Sequence, residues 1–320
     1  VKCLVTGGKG FLGSNLAHAL LEKGHEVTIV DIPIMHNVNI ADISKDLRII
    51  LSDIRDRESV KEAVEGQDVV FHLAGQVSHI VSQEDPYYDL DVNLNGILNI
   101  LEACVQVNPK VHLIFASSRS VYGFPEYLPV DEKHPTNPID AYGVTKLASE
   151  KYINLYHYHR NLKTTIMRMA NLFGPRQQLH TRVYQMISWV FRCAMLKEAL
   201  SFYGDGEQTR DFLCVGDAVR AYMEAAEYPE WVDGKTYNLC GLTYCTWNEA
   251  MQTAAKVTGN PLTVNYEEYP ALRKKLENPH HRLDGEAIKH DLKIEPKVTL
   301  EEGFKEMLEY YWPERYKAYI

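Results

Sequence analysis

A chain of 320 residues, 45% hydrophobic and 24% charged, has the length and apolar content for a large core or two lobes. Its formal charge of −9, uninterrupted by any basic cluster, argues against nucleic-acid binding. The stretch Met186 to Leu196 is too short to span a bilayer and contains Arg192, nothing at the N-terminus resembles a signal peptide, and the six cysteines include no Cys-x-x-Cys pair; the expectation is a cytoplasmic protein with no membrane partner, reduced thiols and no metal site.

The apolar run ending at Thr6 leads into Gly7-Gly-Lys-Gly-Phe-Leu-Gly13. Gly7, Gly10 and Gly13 have the spacing of a turn that brings backbone close to a pyrophosphate and offers it helix N-terminal amides. Ser14 to Leu21 reads as a helix stopped by Gly24, and Glu26 to Asp31 as the next strand, completing a βαβ unit. Asp31, 18 residues past Gly13, is placed to accept hydrogen bonds from an adenosine ribose and to repel a 2′-phosphate. That favours NAD over NADP.

Leu47 to Leu51 is the next predicted strand, ending near Asp53, followed by a helix from Glu58 to Glu65 and a buried strand from Asp68 to Ala74. Asp89 to Val107 reads as one long helix, with apolar Val92, Leu94, Ile97, Leu98, Leu101 and Val105. The strand Val111 to Ala116 then delivers Ser117 and Ser118 to the carboxyl edge of the sheet, where ligands bind in open α/β folds. A helix bearing Tyr142 runs to about Tyr158, and Thr164 to Met169 is another strand. The alternation predicts an α/β doubly wound parallel sheet. Beyond residue 170 turn-forming pairs become frequent, among them Gly174-Pro175, Gly204-Asp-Gly206 and Asp233-Gly234. The expected organisation is a dinucleotide-binding domain at 1–170, with 211–240 returning to it, and a smaller substrate-binding α/β lobe from 171–210 and 241–320.

Tyr142 and Lys146, four residues apart, share one helix face. A free tyrosine titrates near pH ~10, so it serves as a base near neutrality only where positive charge stabilises the phenolate, and Lys146 supplies such a charge. The spacing alone is expected about once by chance in a chain with 20 tyrosines, so its meaning comes from the glycine loop and serine strand around it.

In this order, Thr6 to Gly13, Asp53-Ile54, His72-Leu-Ala-Gly75, Asn93 to Glu102, Ser117-Ser-Arg-Ser-Val-Tyr-Gly123, Tyr142-Gly-Val-Thr-Lys146, Arg168 to Arg176 and Gly204 to Phe212 carry a resemblance over essentially the whole chain. The chain resembles the extended short-chain dehydrogenase/reductases that act on nucleotide sugars. The resemblance implies NAD as cofactor, contacted by Gly7, Gly10, Phe11, Leu12, Gly13, Asp31, Leu73, Ala74, Gly75 and Ser117, with Asp53 and Ile54 bordering the adenine and Asn93 fixing the active-site helix and its water. It also implies that Ser118 hydrogen-bonds the reacting sugar hydroxyl, Tyr142 takes its proton, and Lys146 holds the nicotinamide ribose. Ser120, Asn171, Arg210 and Arg282 become substrate contacts, Arg210 clamping the nucleotide diphosphate. Family members commonly dimerise through the helices here at 89–107 and 141–158, which makes a homodimer the expectation, with Tyr152, Ile153 and Tyr156 offering apolar surface.

Ser118-Arg119-Ser120 decides the subclass. The 4,6-dehydratases of this family place an Asp-Glu pair directly after the equivalent Ser or Thr, because eliminating water needs an acid and a base. Arg119 and Ser120 disfavour elimination, leaving epimerisation: a UDP- or CDP-sugar hydroxyl, at carbon 4 in the first reading, is oxidised and the hydride returned to the opposite face. Open alternatives are a net nucleotide-sugar dehydrogenase or reductase, a divergent dehydratase, and a CDP-tyvelose-type 2-epimerase, to which His72-Leu-Ala-Gly-Gln-Val77 and Gly174-Pro-Arg-Gln177 are also similar. Arg119 either faces solvent in an ion pair or reads an acidic sugar, and His79 is either a sugar contact or a surface or core histidine.

Overall fold

Strands that are apolar on both faces need cover on both, and the first half of the chain supplies helices at that rhythm. The computed structural model describes residues 1–33, 37–180, 186–278 and 280–319, without the side chains of residues 272, 273 and 276. The chain begins β1 (Lys2–Thr6), α1 (Phe11–Glu22), β2 (Glu26–Asp31), β3 (Leu47–Leu51), α2 (Arg57–Val64), β4 (Val69–His72), α3 (His79–Glu84), α4 (Pro86–Leu90), α5 (Gly96–Val107), β5 (His112–Ser118), α6 (Ala141–Arg160) and β6 (Lys163–Met169). It continues through β7 (Asn171–Phe173), α7 (Met186–Leu196), β8 (Leu200–Tyr203), β9 (Thr209–Cys214), α8 (Val215–Glu227), α9 (Pro229–Val232), β10 (Lys235–Leu239), β11 (Thr243–Thr246), α10 (Trp247–Thr258), β12 (Val264–Glu267), α11 (Ala271–Leu276), α12 (Glu286–Leu292) and α13 (Leu300–Tyr311).

Seven parallel strands form the large sheet in the order β10-β6-β5-β4-β1-β2-β3. Successive residues of a strand point to opposite faces, and both faces here are buried. Val5, Ile29 and Phe71 pack with Leu16, Leu20 and Tyr222 of α1 and α8. Leu4, Val30, Val70 and Leu113 pack with Val60, Ile100, Leu101 and Ile153 of α2, α5 and α6. This is the doubly wound parallel sheet expected, and the C-terminal part adds the smaller α/β lobe. In that lobe β9 pairs with β7 and β11, β8 pairs with β12, and Phe173, Phe191, Phe212, Trp247, Phe304 and Tyr311 build a second core. Late in the chain β10 comes back to the large sheet beside β6.

The strand order reverses at β1, which has β2 on one side and β4 on the other, with Thr6 level with His72. A crevice at such a reversal, beyond the carboxyl ends, is where this architecture binds ligands. No helix of the described residues is long and apolar enough to cross a membrane, and all six cysteines are free thiols.

One element differs from expectation. The helix expected at 89–107 is interrupted by a π-helical turn at Asp91–Asn95 between α4 and α5. Such wide turns re-aim a side chain, and here Asn93 is turned inward against Gln76 and Asp89. Ile153, which the sequence leaves open between dimer surface and internal packing, is fully buried against the sheet, while Tyr156 donates its hydroxyl proton to Glu102. Tyr152 is exposed as expected, and Val144, Leu155 and Tyr158 are exposed on α6 beside it.

Beneath the carboxyl edge, Glu150 of α6 receives Arg168 in a bidentate pair, Nε at 2.9 Å and Nη2 at 2.6 Å, while Ser117 Oγ donates to it at 2.5 Å and Arg168 Nη1 to the Tyr122 hydroxyl at 2.9 Å. Removing one member leaves a buried charge unpaired. Arg168→Ala is expected to lower unfolding stability by about 3 kcal/mol, measured by urea denaturation.

Candidate active site

Gly7 begins the loop at φ +72°, a conformation that favours glycine, and a Cβ there would lie 2.9 Å from the Ala74 nitrogen. A Cβ at Gly13 would lie 2.1 Å from the Gly7 carbonyl oxygen, so only glycine lets α1 start this close to the loop. The helix opens with no capping side chain and no acidic residue in its first turn, leaving the amides at Phe11, Leu12 and Gly13 to face whatever lies at the loop mouth. Thr6 Oγ1 accepts from the amides of Leu73 and Ala74, both at 3.2 Å, so its own proton goes to His72 Nδ1 at 2.8 Å. That hydroxyl joins the ends of β1 and β4 across the crevice. Sequence reasoning did not single out Thr6 or His72, whose pairing is set by sheet register.

Asp31 ends β2, its two oxygens accepting from the amides of Lys9 and Ile32, each at 2.8 Å. Each oxygen keeps a lone pair for a ribose hydroxyl, although burial raises the carboxyl above its usual value. Asp53 is placed differently: Arg55 holds both its oxygens and reaches on to Asp91, so its carboxylate is committed within the protein. Ile54 is buried against Gly96. Asn39 also supports the loop, donating to the Lys9 carbonyl at 3.1 Å and accepting from the Tyr319 hydroxyl at 2.7 Å. The glycine cradle, the uncapped α1 terminus and Asp31 together fit a dinucleotide with a free 2′-hydroxyl.

α6 starts where Asp140 Oδ1 accepts from the Gly143 amide at 2.7 Å. Gly143 lets the helix approach the serine loop, since a Cβ there would be 2.7 Å from the Ser120 carbonyl oxygen. On the inward face Tyr142, Thr145, Lys146, Ser149 and Glu150 are buried. Ser118 is one of the groups that act on the Tyr142 phenol, opposing the rise in its pKa; its hydroxyl accepts from the Ser120 amide and donates to the Ser120 hydroxyl, both at 3.1 Å. Lys146 Nζ donates to the Ala116 carbonyl at 3.0 Å and stands 4.8 Å from the Phe115 ring centroid and 5.8 Å from that of Tyr142.

Burial raises the Tyr142 phenol well above its ordinary value, an effect that Asp140 and Asp89 add to and that Ser118 and Arg119 oppose. Burial likewise brings Lys146 down to about 8, against the pull of Asp89 and Glu150. The lysine is thus near the phenol but committed to a backbone carbonyl, and in the protein alone desolvation outweighs it.

Asn93 sits behind this pair. Its Nδ2 donates to the Gln76 carbonyl at 3.0 Å and Asp89 Oδ1 at 3.1 Å, while its buried Oδ1 has no partner among the described residues and would lie 2.6 Å from a Cβ at Gly75. A water or ligand donor fits that oxygen. Asp89 is buried and accepts from Gln76 Nε2 at 2.7 Å and Thr145 Oγ1 at 2.6 Å. Asp89, Gln76 and Thr145 went unremarked in the sequence; Thr145, between Tyr142 and Lys146, was the available signal.

On the substrate side, Arg119 Nε donates to Asn171 Oδ1 at 3.1 Å. Arg210 is paired with Glu277. Arg282 lies 5.3 Å from the Tyr244 ring centroid, and its carbonyl accepts from the Val130 amide, tying the late segment to the loop after β5. His79 Nδ1 is 2.5 Å from Asp140 Oδ2, its ring edge-on to Tyr142 at 4.9 Å; its side chain is 48% exposed, so it is a surface histidine, not a core one, tied to the start of α6.

A glycine cradle at a strand-order reversal, with a serine, tyrosine and lysine at the same rim, defines a dinucleotide-binding enzyme that moves a hydride and a proton at one carbon. Residues 3–240 match the model of the NAD dependent epimerase/dehydratase family, and the chain belongs to that family. It is 39% identical over 228 residues, 70% of this chain and 73% of the other, to a putative UDP-glucose 4-epimerase of Methanocaldococcus jannaschii. It is 32% identical over 97% of both chains to a UDP-N-acetyl-alpha-D-glucosaminuronate decarboxylase of Bacillus cytotoxicus. The crystal structure of a Thermus thermophilus UDP-glucose 4-epimerase in complex with NAD superposes with a TM-score of 0.87 at 29% identity, covering 97% of this chain and 99% of that one.

Proposed function

We propose that this protein is an NAD-dependent nucleotide-sugar epimerase that inverts carbon 4 of a UDP-sugar. The observation that carries the reading is the pairing of Ser118 and Tyr142 with Arg119 and Ser120 in the two positions where elimination would need an acid and a base. The UDP-glucose 4-epimerase names of the Methanocaldococcus and Thermus proteins support the nucleotide and the carbon, and the NAD in the Thermus complex supports the cofactor.

Gly7, Gly10, Phe11, Leu12 and Gly13 would cradle the diphosphate of NAD, Asp31 its ribose, Ile54 and the Asp53 backbone its adenine, and Leu73 to Gly75 with Asn93 and Ser117 the far end. Bound NAD supplies the acceptor and later the donor of the carbon-bound hydrogen. Ser118 Oγ orients the sugar hydroxyl, and the Tyr142 phenolate oxygen takes its proton and returns it after the keto sugar has presented its other face. Lys146 shifts from the Ala116 carbonyl toward the phenol and ribose, offsetting the burial that keeps Tyr142 protonated. Ser120, Asn171, Arg210 and Arg282 hold the substrate, with the arginines on its diphosphate. The segment 1–170, with α8 and β10 at 215–240, acts as the cofactor domain, and 171–214 with 241–320 as the substrate lobe, since β9 pairs within the lobe and not with the large sheet.

The test is product analysis, by NMR and mass spectrometry, of UDP-glucose and UDP-galactose incubated with purified protein and no added cofactor. The expected result is interconversion at unchanged mass. Products lighter by one water would replace this reading with a dehydratase.

Val144, Tyr152, Leu155 and Tyr158 leave an apolar stripe on α6, 52%, 38%, 49% and 78% exposed, which suits a homodimer through α5 and α6. Leu155→Glu is expected to convert the dimer to a monomer in size-exclusion chromatography with light scattering; an unchanged mass would place the contact elsewhere.

A further inference from the structure

Arg119 is a partly buried cation beside the reacting centre. Its Nε is held by Asn171 at 3.1 Å, and among the described residues neither Nη atom has a hydrogen-bond or ion-pair partner. Three carboxylates face it, and each is engaged elsewhere. Glu277 is paired with Arg210, Asp140 with His79, and Asp211 accepts the amides of Gly241 and Leu283 at 2.6 and 3.1 Å. The remaining neighbours add no negative charge: Arg210 is itself a cation, and His281 is 1% exposed, uncharged, with both ring nitrogens unpartnered. Burial and the Arg210 charge bring the guanidinium down to about 10, still protonated at neutral pH. A partly buried cation whose neighbouring carboxylates are bound to other groups is stabilised by a ligand that brings an anion into direct contact with it.

Its position says where that anion sits. Ser118 is level with Met169 across β5 and β6, so Asn171, two residues on, stands at the same rim as Ser120. The guanidinium it holds is therefore at the level of the reacting hydroxyl. Two bonds from carbon 4 a hexose carries a neutral hydroxymethyl group and a uronate carries a carboxylate, whose two oxygens match the two free Nη atoms in the planar fork.

We propose that Arg119 is a specificity-determining residue that binds the carboxylate of the sugar, making nucleotide-linked uronates the favoured substrates. The proposal rests on the epimerase reading and adds the sugar class to it. Ser120, hydrogen-bonded to Ser118, brings no negative charge of its own to compete with that carboxylate.

The test compares wild type, Arg119→Ala and Arg119→Lys on UDP-glucuronate and UDP-glucose, with UDP as an inhibitor reporting on the diphosphate site. Wild type should favour UDP-glucuronate. In Arg119→Ala the ratio of the two kcat/KM values should fall about 100-fold through the KM of the uronate, with Arg119→Lys recovering part of it. Weaker UDP inhibition with equal losses on both sugars would make Arg119 a diphosphate contact and overturn the proposal, as would a wild-type preference for UDP-glucose. If neither sugar turns over, the epimerase reading fails and calorimetric titration decides the role of Arg119. Wild type must then bind UDP-glucuronate at least about tenfold more tightly than UDP-glucose, and Arg119→Ala must lose that difference.

Discussion

Tyr142→Phe is expected to reduce turnover by at least about a thousandfold while leaving NAD bound. The substitution removes one oxygen from a buried ring that packs edge-on against His79, so the fold and the glycine cradle are left as they are. On the proposed mechanism, what is lost is the group that accepts the hydroxyl proton. Lys146→Met should be as damaging for another reason: burial already raises the phenol, and on the proposed mechanism the ammonium, moved toward it, is the charge that offsets that burial. The measurement is kcat on a UDP-sugar, with bound cofactor determined by absorbance after denaturation. Near-normal turnover in Tyr142→Phe would remove that residue from the chemistry.

Acid should destabilise the protein well above the usual carboxylate range. Burial lowers His72 to about 3, His112 to about 4 and His281 to about 2, so the folded chain keeps all three neutral. Each binds fewer protons folded than unfolded, so its contribution is complete above pH ~6.5 and falls by roughly 1.4 kcal/mol for each pH unit below that, until its folded value is reached. Asp211, raised to about 7 by burial, acts in the opposite sense, because its burial penalty is relieved as pH falls through that value; Glu132, also raised, does the same in part. The histidines outweigh them, and stability measured by urea denaturation should fall by roughly 4 kcal/mol between pH 7 and pH 4.5. A flat profile over that range would mean that one or more of these imidazoles is protonated in the native state.

The large sheet was legible in the sequence because each strand is a short apolar run bounded by turn residues, and the spacing of Gly7, Gly10 and Gly13 marks the start of α1. Ser118, Tyr142 and Lys146 stood out only through the order of the motifs around them, since the Tyr-Lys spacing alone is expected about once by chance. What could not be read depends on contacts between distant segments. Asp89 is buried with Gln76, Asn93 and Thr145, up to 56 residues away, and the helix around it widens into a π turn to bring Asn93 in. Ile153 reads as surface or core equally well until the sheet is laid against α6. Tyr319 reaches the cofactor loop through Asn39 across 280 residues, a contact no local pattern announces. Arg119 was visible as an unusual residue, but its lack of an ion-pair contact among the described residues appears only when Glu277, Asp140 and Asp211 are seen to be bound to other groups.

The most direct test of the central claim uses a UDP-hexose carrying deuterium at carbon 4, incubated in ordinary water with no added cofactor. If Tyr142 and NAD act on one carbon and the hydride returns to it, the epimer keeps its deuterium at carbon 4 and its mass, and no NADH accumulates. Loss of the label to solvent, or NADH formed in proportion to product, would contradict the account.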